Sequence, residues 1–310
     1  MGRLLVAVVW VCVVVGCACA HVPVRAEIGA PPPRPTFAAI VRPILESRCV
    51  VCHACYNSPC QLNQQSWEGL DRGANPQAIY DGSRMVAIPP TRMFEDARST
   101  REWRERFAFF PVISHSGVPA DSVLHHFIAQ RRVDPRSGNF AAEQSPACPN
   151  TVEAAKAYLA KRPEAGMPYG FPPLDDAQFR AIEALLAEGA PPPPAPPPPP
   201  AATLRAIARW EKFLGADDLR TQLVARYLYE HLFLAHLHFG PDTRDFYRLV
   251  RSRTGVGQPI DEIVTVRPFD DPKVARVHYR LVRVTATIVR KTHAPFELSE
   301  QKLARLRDLF

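Results

Sequence analysis

Apolar and polar positions alternate along this chain in three distinct ways. Leu4–Val15 is uninterrupted apolar sequence, preceded by Arg3 and followed by Ala18-Cys19-Ala20. At 12 residues it is too short to span a bilayer, and with a basic start and an A-x-A end it reads as a secretory leader over residues 1–20. Helical spacing dominates the rest. Apolar stripes predict helices over Phe37–Arg48, Ser99–Phe107, Ser122–Arg131, Thr151–Ala160, Asp176–Gly189, Thr203–Leu214, Asp218–Phe239 and Ser299–Phe310. Period-two alternation predicts strands at Phe246–Val250 and His278–Val289. The run Phe107–Ile113 reads as core, or as the wall of a lipid-accessible pocket.

Prolines divide the pattern. Residues 21–36 are rich in Pro and Ala and read as a disordered lead-in. Pro191–Pro200 holds nine prolines and one alanine, which predicts a stiff polyproline spacer between two domains. A length of 310 residues agrees with two domains, at 37–190 and 201–310.

Charge and cysteine content narrow the setting. The net charge is +7 with 22% charged residues, and basic residues are scattered rather than interleaved with aromatics. That excludes a nucleic-acid interface of the usual kind and fits an anionic partner, such as a phospholipid surface or an acidic redox protein. Cleavage after Ala20 removes Arg3 and leaves +6; it also removes Cys12, Cys17 and Cys19 and leaves five of eight cysteines. A rival reading takes Val14-Val15-Gly16-Cys17 as a lipoprotein box, with the protein anchored through Cys17.

The strongest chemical signal is Cys49-Val50-Val51-Cys52-His53. C-x-x-C-H is the attachment pattern of c-type haem: two thiols add to the porphyrin vinyl groups and the imidazole becomes an axial iron ligand. The alternatives are a redox dithiol or half of a zinc site. Cys55 and Cys60 extend the spacing to C-x2-C-x2-C-x4-C, whose last step does not match a bacterial iron–sulfur run. Export permits a disulfide among Cys55, Cys60 and Cys148, with the pairing open. Gly166-Met167-Pro168 followed by a final helix resembles the C-terminal part of class I cytochromes c, which makes Met167 the candidate sixth ligand. Met85, Met93 and His115 are fallbacks. A separation of 115 positions between Cys52 and Met167 implies a cytochrome c-like domain split by an insertion at about 60–150. The expected fold is therefore mainly α: this split haem domain, the proline-rich linker, then a mostly helical second domain with a few strands. His125 and His126, adjacent on one helix, read as surface or core residues. His231 and His238, seven apart on the long helix, read as core or pocket-lining.

The wording of several segments resembles the bacterial fatty acid cis/trans isomerases. These are Cys49–Leu62, Tyr80–Arg84, Pro90–Ala97, Glu102–Arg104, Arg226–Leu237, Phe246–Thr254, Pro259–Ile263 and Lys291–His293. Members of that family continue past the point where this chain stops, so the resemblance is to their N-terminal part. It implies periplasmic, haem c-dependent conversion of cis-unsaturated acyl chains to trans in membrane lipid under stress. Cys49, Cys52, His53 and Met167 would hold the iron porphyrin after loading by the c-type haem assembly machinery. The competing expectations are a plain periplasmic electron-transfer cytochrome and a non-catalytic fragment that binds membrane or a partner.

Overall fold

The computed structural model describes residues 37–54, 56, 58–79, 89–135, 147–240, 245–289 and 293–310. The leader, the lead-in, Cys55 and Met85 lie outside the described residues. Pro35–Phe310 is one unit, whose described residues form two large hydrophobic cores and a small third one of Ala97, Trp103 and Phe109.

The first core forms where the earliest helix meets a later one. Phe37–Val41 is a single wide π-turn that continues into α1 (Arg42–Arg48), with Pro43 in its first turn, where no intrahelical N–H is needed. Val41, Leu45 and Val50 face inward. They pack with Ile182, Leu185 and Leu186 of α6 (Asp176–Ala187), whose start is fixed by a capping box between Asp175 and Gln178. Each such fully buried aliphatic side chain contributes about 1.5–3 kcal/mol. Between these two helices the chain adds α2 (Trp67–Arg72), α3 (Thr100–Phe107), α4 (Val123–Val133) and α5 (Val152–Lys161). Ser66, Ser99 and Thr151 cap three of them through their hydroxyls. Phe109, Val112 and Ile113 are buried, so the Phe107–Ile113 run is core.

Pro191–Pro200 forms neither helix nor strand. Beyond it, α7 (Ala201–Leu214) and α8 (Leu219–Leu232) cover a four-stranded mixed sheet, and α9 (Glu300–Leu309) closes the chain. The strands are β1 (Ala235–His238), β2 (Phe246–Ser252), β3 (His278–Val284) and β4 (Ala294–Glu297), in spatial order β3-β2-β1-β4. β1 runs antiparallel to β2 and parallel to β4. Leu237 and Tyr247 sit at the centre of this core. A buried ion pair, Arg280 Nε to Glu211 Oε2 at 3.1 Å, ties α7 to β3, and Glu211 also accepts the Leu281 N–H.

Two expectations are corrected. The helix expected over Asp218–Phe239 stops at Leu232 and residues 235–238 are strand, because burial of Leu237 between β2 and β4 outweighs helical propensity. His231 and His238 therefore do not share a helix face. As a whole the described residues are mixed α/β, nine α-helices and a mixed sheet, rather than mainly α.

The two large cores are stitched together. Thr287 N–H donates to Gln65 O, Arg42 reaches Thr285 O and Thr287 Oγ1, and Arg92 donates to Thr265 O. Among the described residues no helix is long and apolar enough to cross a membrane.

Candidate functional site

The C-x-x-C-H segment is one tight turn leaving the end of α1. Cys49 N–H closes the helix on Leu45 O at 2.8 Å. Cys52 and His53 N–H then both converge on Cys49 O, at 3.1 and 3.0 Å. Val50 is fully buried and pins the turn to the first core. The turn thus fixes two sulfur-bearing positions and an imidazole around a single carbonyl.

His53 is held at both ends. Its carbonyl accepts Gln64 N–H at 2.8 Å, and its Nδ1 lies 3.1 Å from Leu62 O, to which it donates. That bond leaves the Nε2 lone pair without a proton. Burial lowers the imidazole pKa below its usual value, against the opposing effect of the Leu62 bond, so the ring is neutral at neutral pH. A neutral ring with Nδ1–H anchored to a carbonyl is the form that binds a metal through Nε2. Leu62 O is itself oriented by Ser58 Oγ–H at 2.8 Å.

The thiols separate the chemical alternatives. Cys49 and Cys52 are free, whereas Cys60 and Cys148 are joined in a disulfide. Burial pushes the Cys49 thiol up to about 12 despite the adjacent Arg48 guanidinium. That direction is opposite to the depressed thiol on which a redox dithiol relies. Among the described residues no three His, Cys, Asp or Glu side chains group as a metal cage. Two unpaired thiols three positions apart, with a neutral, oriented imidazole next in the chain, fit covalent porphyrin attachment.

Met167 packs against the same core as Cys49 and Leu62. Its N–H donates to Phe127 O at 2.9 Å, which fastens the Gly166-Met167-Pro168 loop to α4. Of the fallbacks, His115 has both ring nitrogens occupied, Nδ1 by Gly189 O and Nε2 by Asp71, each at 2.8 Å. Met93 sits in the turn after Thr91. His125 pairs with Glu183 and His126 with Ala120 O. His231 bonds Tyr227 O and His238 bonds Gly240 O, so neither pair forms a site.

Two clusters escaped the sequence reading. His236 on β1 meets His293, and His293 Nε2 lies 3.4 Å from the Gln65 amide, three residues along from Leu62. Deeper, Arg248 joins Glu95 and Glu262, with Arg92 on the other side of Glu95, around a cavity of about 20 Å3. That is room for about one water molecule. The signals present were Glu95, Arg248 and Glu262 inside segments already singled out, but Glu95 and Arg248 lie 153 positions apart. Nothing in the periodicity joins them.

Residues 88–310 match the profile of the family described as fatty acid cis/trans isomerase (CTI). The C-x-x-C-H turn precedes the matched region. No curated protein and no solved structure shows a match to this chain.

Proposed function

This chain belongs to the fatty acid cis/trans isomerase family, an enzyme family, and on that premise we propose that it converts cis-unsaturated fatty acyl chains to trans in the periplasm, using a covalently held haem c, to stiffen the membrane under stress. The observation that carries the haem part is the C-x-x-C-H turn: two free thiols beside an imidazole whose Nδ1–H is committed to Leu62 O.

The chemistry explains why such a group is wanted. Rotation about even the partial double bond of a peptide costs about 18–20 kcal/mol, and a full C=C bond costs more. Protonating an isolated alkene would also lower its bond order, but through a high-energy carbocation that an acid side chain near neutral pH does not sustain. When bound, the haem iron supplies a centre that draws electron density from the alkene and returns it, with no net redox change.

The chain's own residues do the rest. Cys49 and Cys52 would hold the porphyrin through thioether bonds, and Val50 anchors the turn between them. His53 would supply Nε2 as an iron ligand, in the tautomer set by its Nδ1–H to Leu62 O bond. Met167 would offer its thioether as a further iron ligand, on a loop fastened to α4 by the Met167 N–H to Phe127 O bond. The Cys60–Cys148 disulfide supports an oxidising compartment outside the cytoplasm.

The test is the exported protein itself. The expected result is a coloured chain whose intact mass exceeds the cleaved polypeptide by one haem, a changed spectrum in Met167→Ala, and a raised trans/cis acyl ratio in cells that express it. Cys49→Ala with Cys52→Ala should lose colour and lipid effect together. A colourless chain of bare polypeptide mass overturns the haem assignment. An unchanged acyl ratio with haem bound overturns the reaction.

A further inference from the structure

Helix α8 is apolar on two opposite sides. Val224, Ala225 and Tyr229 face the second core. On the far side Leu219, Leu223 and Tyr227, four residues apart, are 84%, 68% and 54% exposed. Leu234, in the turn past the helix end, continues the row at 68%. A helix whose outer face meets only water is polar there; a second apolar stripe marks a second environment. Arg220 and Arg226 flank the stripe, Arg226 being neutralised by Glu230 at 2.7 Å.

Beside it lies a groove of about 660 Å3. It is lined by the cations Arg209, Lys212, Arg220 and Arg307 and by Phe213 and Phe310. The carboxylate lining it, Asp218, is turned to the Thr221 N–H as the α8 cap. Glu300 neutralises Arg209 from outside the groove. The groove therefore stays positive, next to an exposed apolar row.

We propose that this face docks the protein on an anionic phospholipid surface: Leu219, Leu223 and Tyr227 enter the boundary between headgroups and acyl chains, and Lys212, Arg220 and Arg307 meet the phosphates. An apolar row with cations beside it is the pattern of an interfacial helix. Charge complementarity selects the occupant, because a second copy would set one cationic groove against another. The face is built from α7, α8 and α9, apart from the C-x-x-C-H turn, and its action needs neither haem nor a double bond.

The experiment is co-sedimentation of the full exported chain with vesicles whose acyl chains are all saturated, so that binding is read without turnover. Vesicles containing phosphatidylglycerol should bind the chain at least tenfold more tightly than phosphatidylcholine alone, and high salt should abolish the difference. Leu223→Asp should weaken binding about tenfold or more, and Lys212→Ala and Arg220→Ala about fivefold each. These side chains are exposed, so unchanged circular dichroism is expected and serves as the folding control. Equal binding to both vesicle types, or variants that bind like the parent chain, overturns the proposal. So does a dimer that Leu223→Asp converts to monomer, which would assign the face to a second copy.

Discussion

The rings of His236 and His293 meet edge to face, with centroids 4.3 Å apart and planes at 88°. The His236 Nδ1 is buried without a hydrogen-bond partner. Burial, then His293, then the Arg248 guanidinium push the His236 pKa down to about 4, and His293 is lowered as well, chiefly by burial. The pair joins β1 to the residue that enters β4, so charging it opposes the sheet.

That arrangement sets a pH dependence. A histidine depressed on folding binds fewer protons in the native state than in the unfolded chain between about pH 4 and 6.5. Stability therefore rises with pH across this window and is lost as pH falls through it. Because the rings are partly open to water, the loss attributable to His236 is about 1–2 kcal/mol. Urea unfolding at pH 7 and pH 5 should show it, and His236→Leu should flatten the difference. An equal pH slope in that variant would place the sensitivity elsewhere.

Arg248 stands between two carboxylates, 3.1 Å from Glu95 and 3.2 Å from Glu262. Burial already raises the Glu95 pKa, while Arg248 and Arg92 oppose the rise. Arg248→Met removes the cation that the two acids share, leaving Arg92 on Glu95 and Arg98 on Glu262, and should cost about 1–3 kcal/mol at pH 7. With the Glu95 pKa already raised by burial and raised further by the loss of Arg248, the variant takes up a proton there on folding, so its deficit should shrink as pH drops towards 5. A deficit independent of pH would mean the loss is one of packing and not of charge.

Much of the local structure was legible because it is written in short-range chemistry. Ser99, Thr151, Asp175 and Ser299 each stand one residue before a helix and cap it as their side chains require. The C-x-x-C-H turn was legible for the same reason. What was not legible depends on distant partners. Ala235–His238 follows directly on a helix and becomes strand only because β2 and β4, both later in the chain, flank it. The His236–His293 contact followed that error, since a helix would have sent His236 elsewhere. The Cys60–Cys148 pairing was one of three open choices that spacing alone could not rank.

That disulfide closes a separation of 88 residues enclosing α2, α3 and α4. A cross-link over a loop of this size restricts the unfolded chain strongly, and its loss typically costs about 2–5 kcal/mol. Cys148→Ser should lower the unfolding midpoint accordingly, and a reductant should do the same to the parent chain but not to the variant. If reductant lowered both equally, another bond would be responsible.

Gly166 is where α4 and the Met167 loop come closest. A Cβ there would lie 2.5 Å from Arg131 N and 2.8 Å from its Cα, and backbone at that distance does not yield. The loop is fastened on both sides of this point: before it Gln130 Nε2 donates to Pro163 O at 3.3 Å, and after it Met167 N–H donates to Phe127 O at 2.9 Å. With both ends fixed, Gly166→Ala must push the segment between them away from α4. The expected cost is about 1–3 kcal/mol in urea unfolding, the usual range for overpacking. In the haem-bound form proposed above, with Met167 as sixth ligand, it should also carry Met167 with it, so that added imidazole displaces that ligand at a lower concentration than in the parent protein. A variant destabilised to this extent with an unaltered imidazole titration would separate Met167 from the iron and leave Gly166 a packing residue alone.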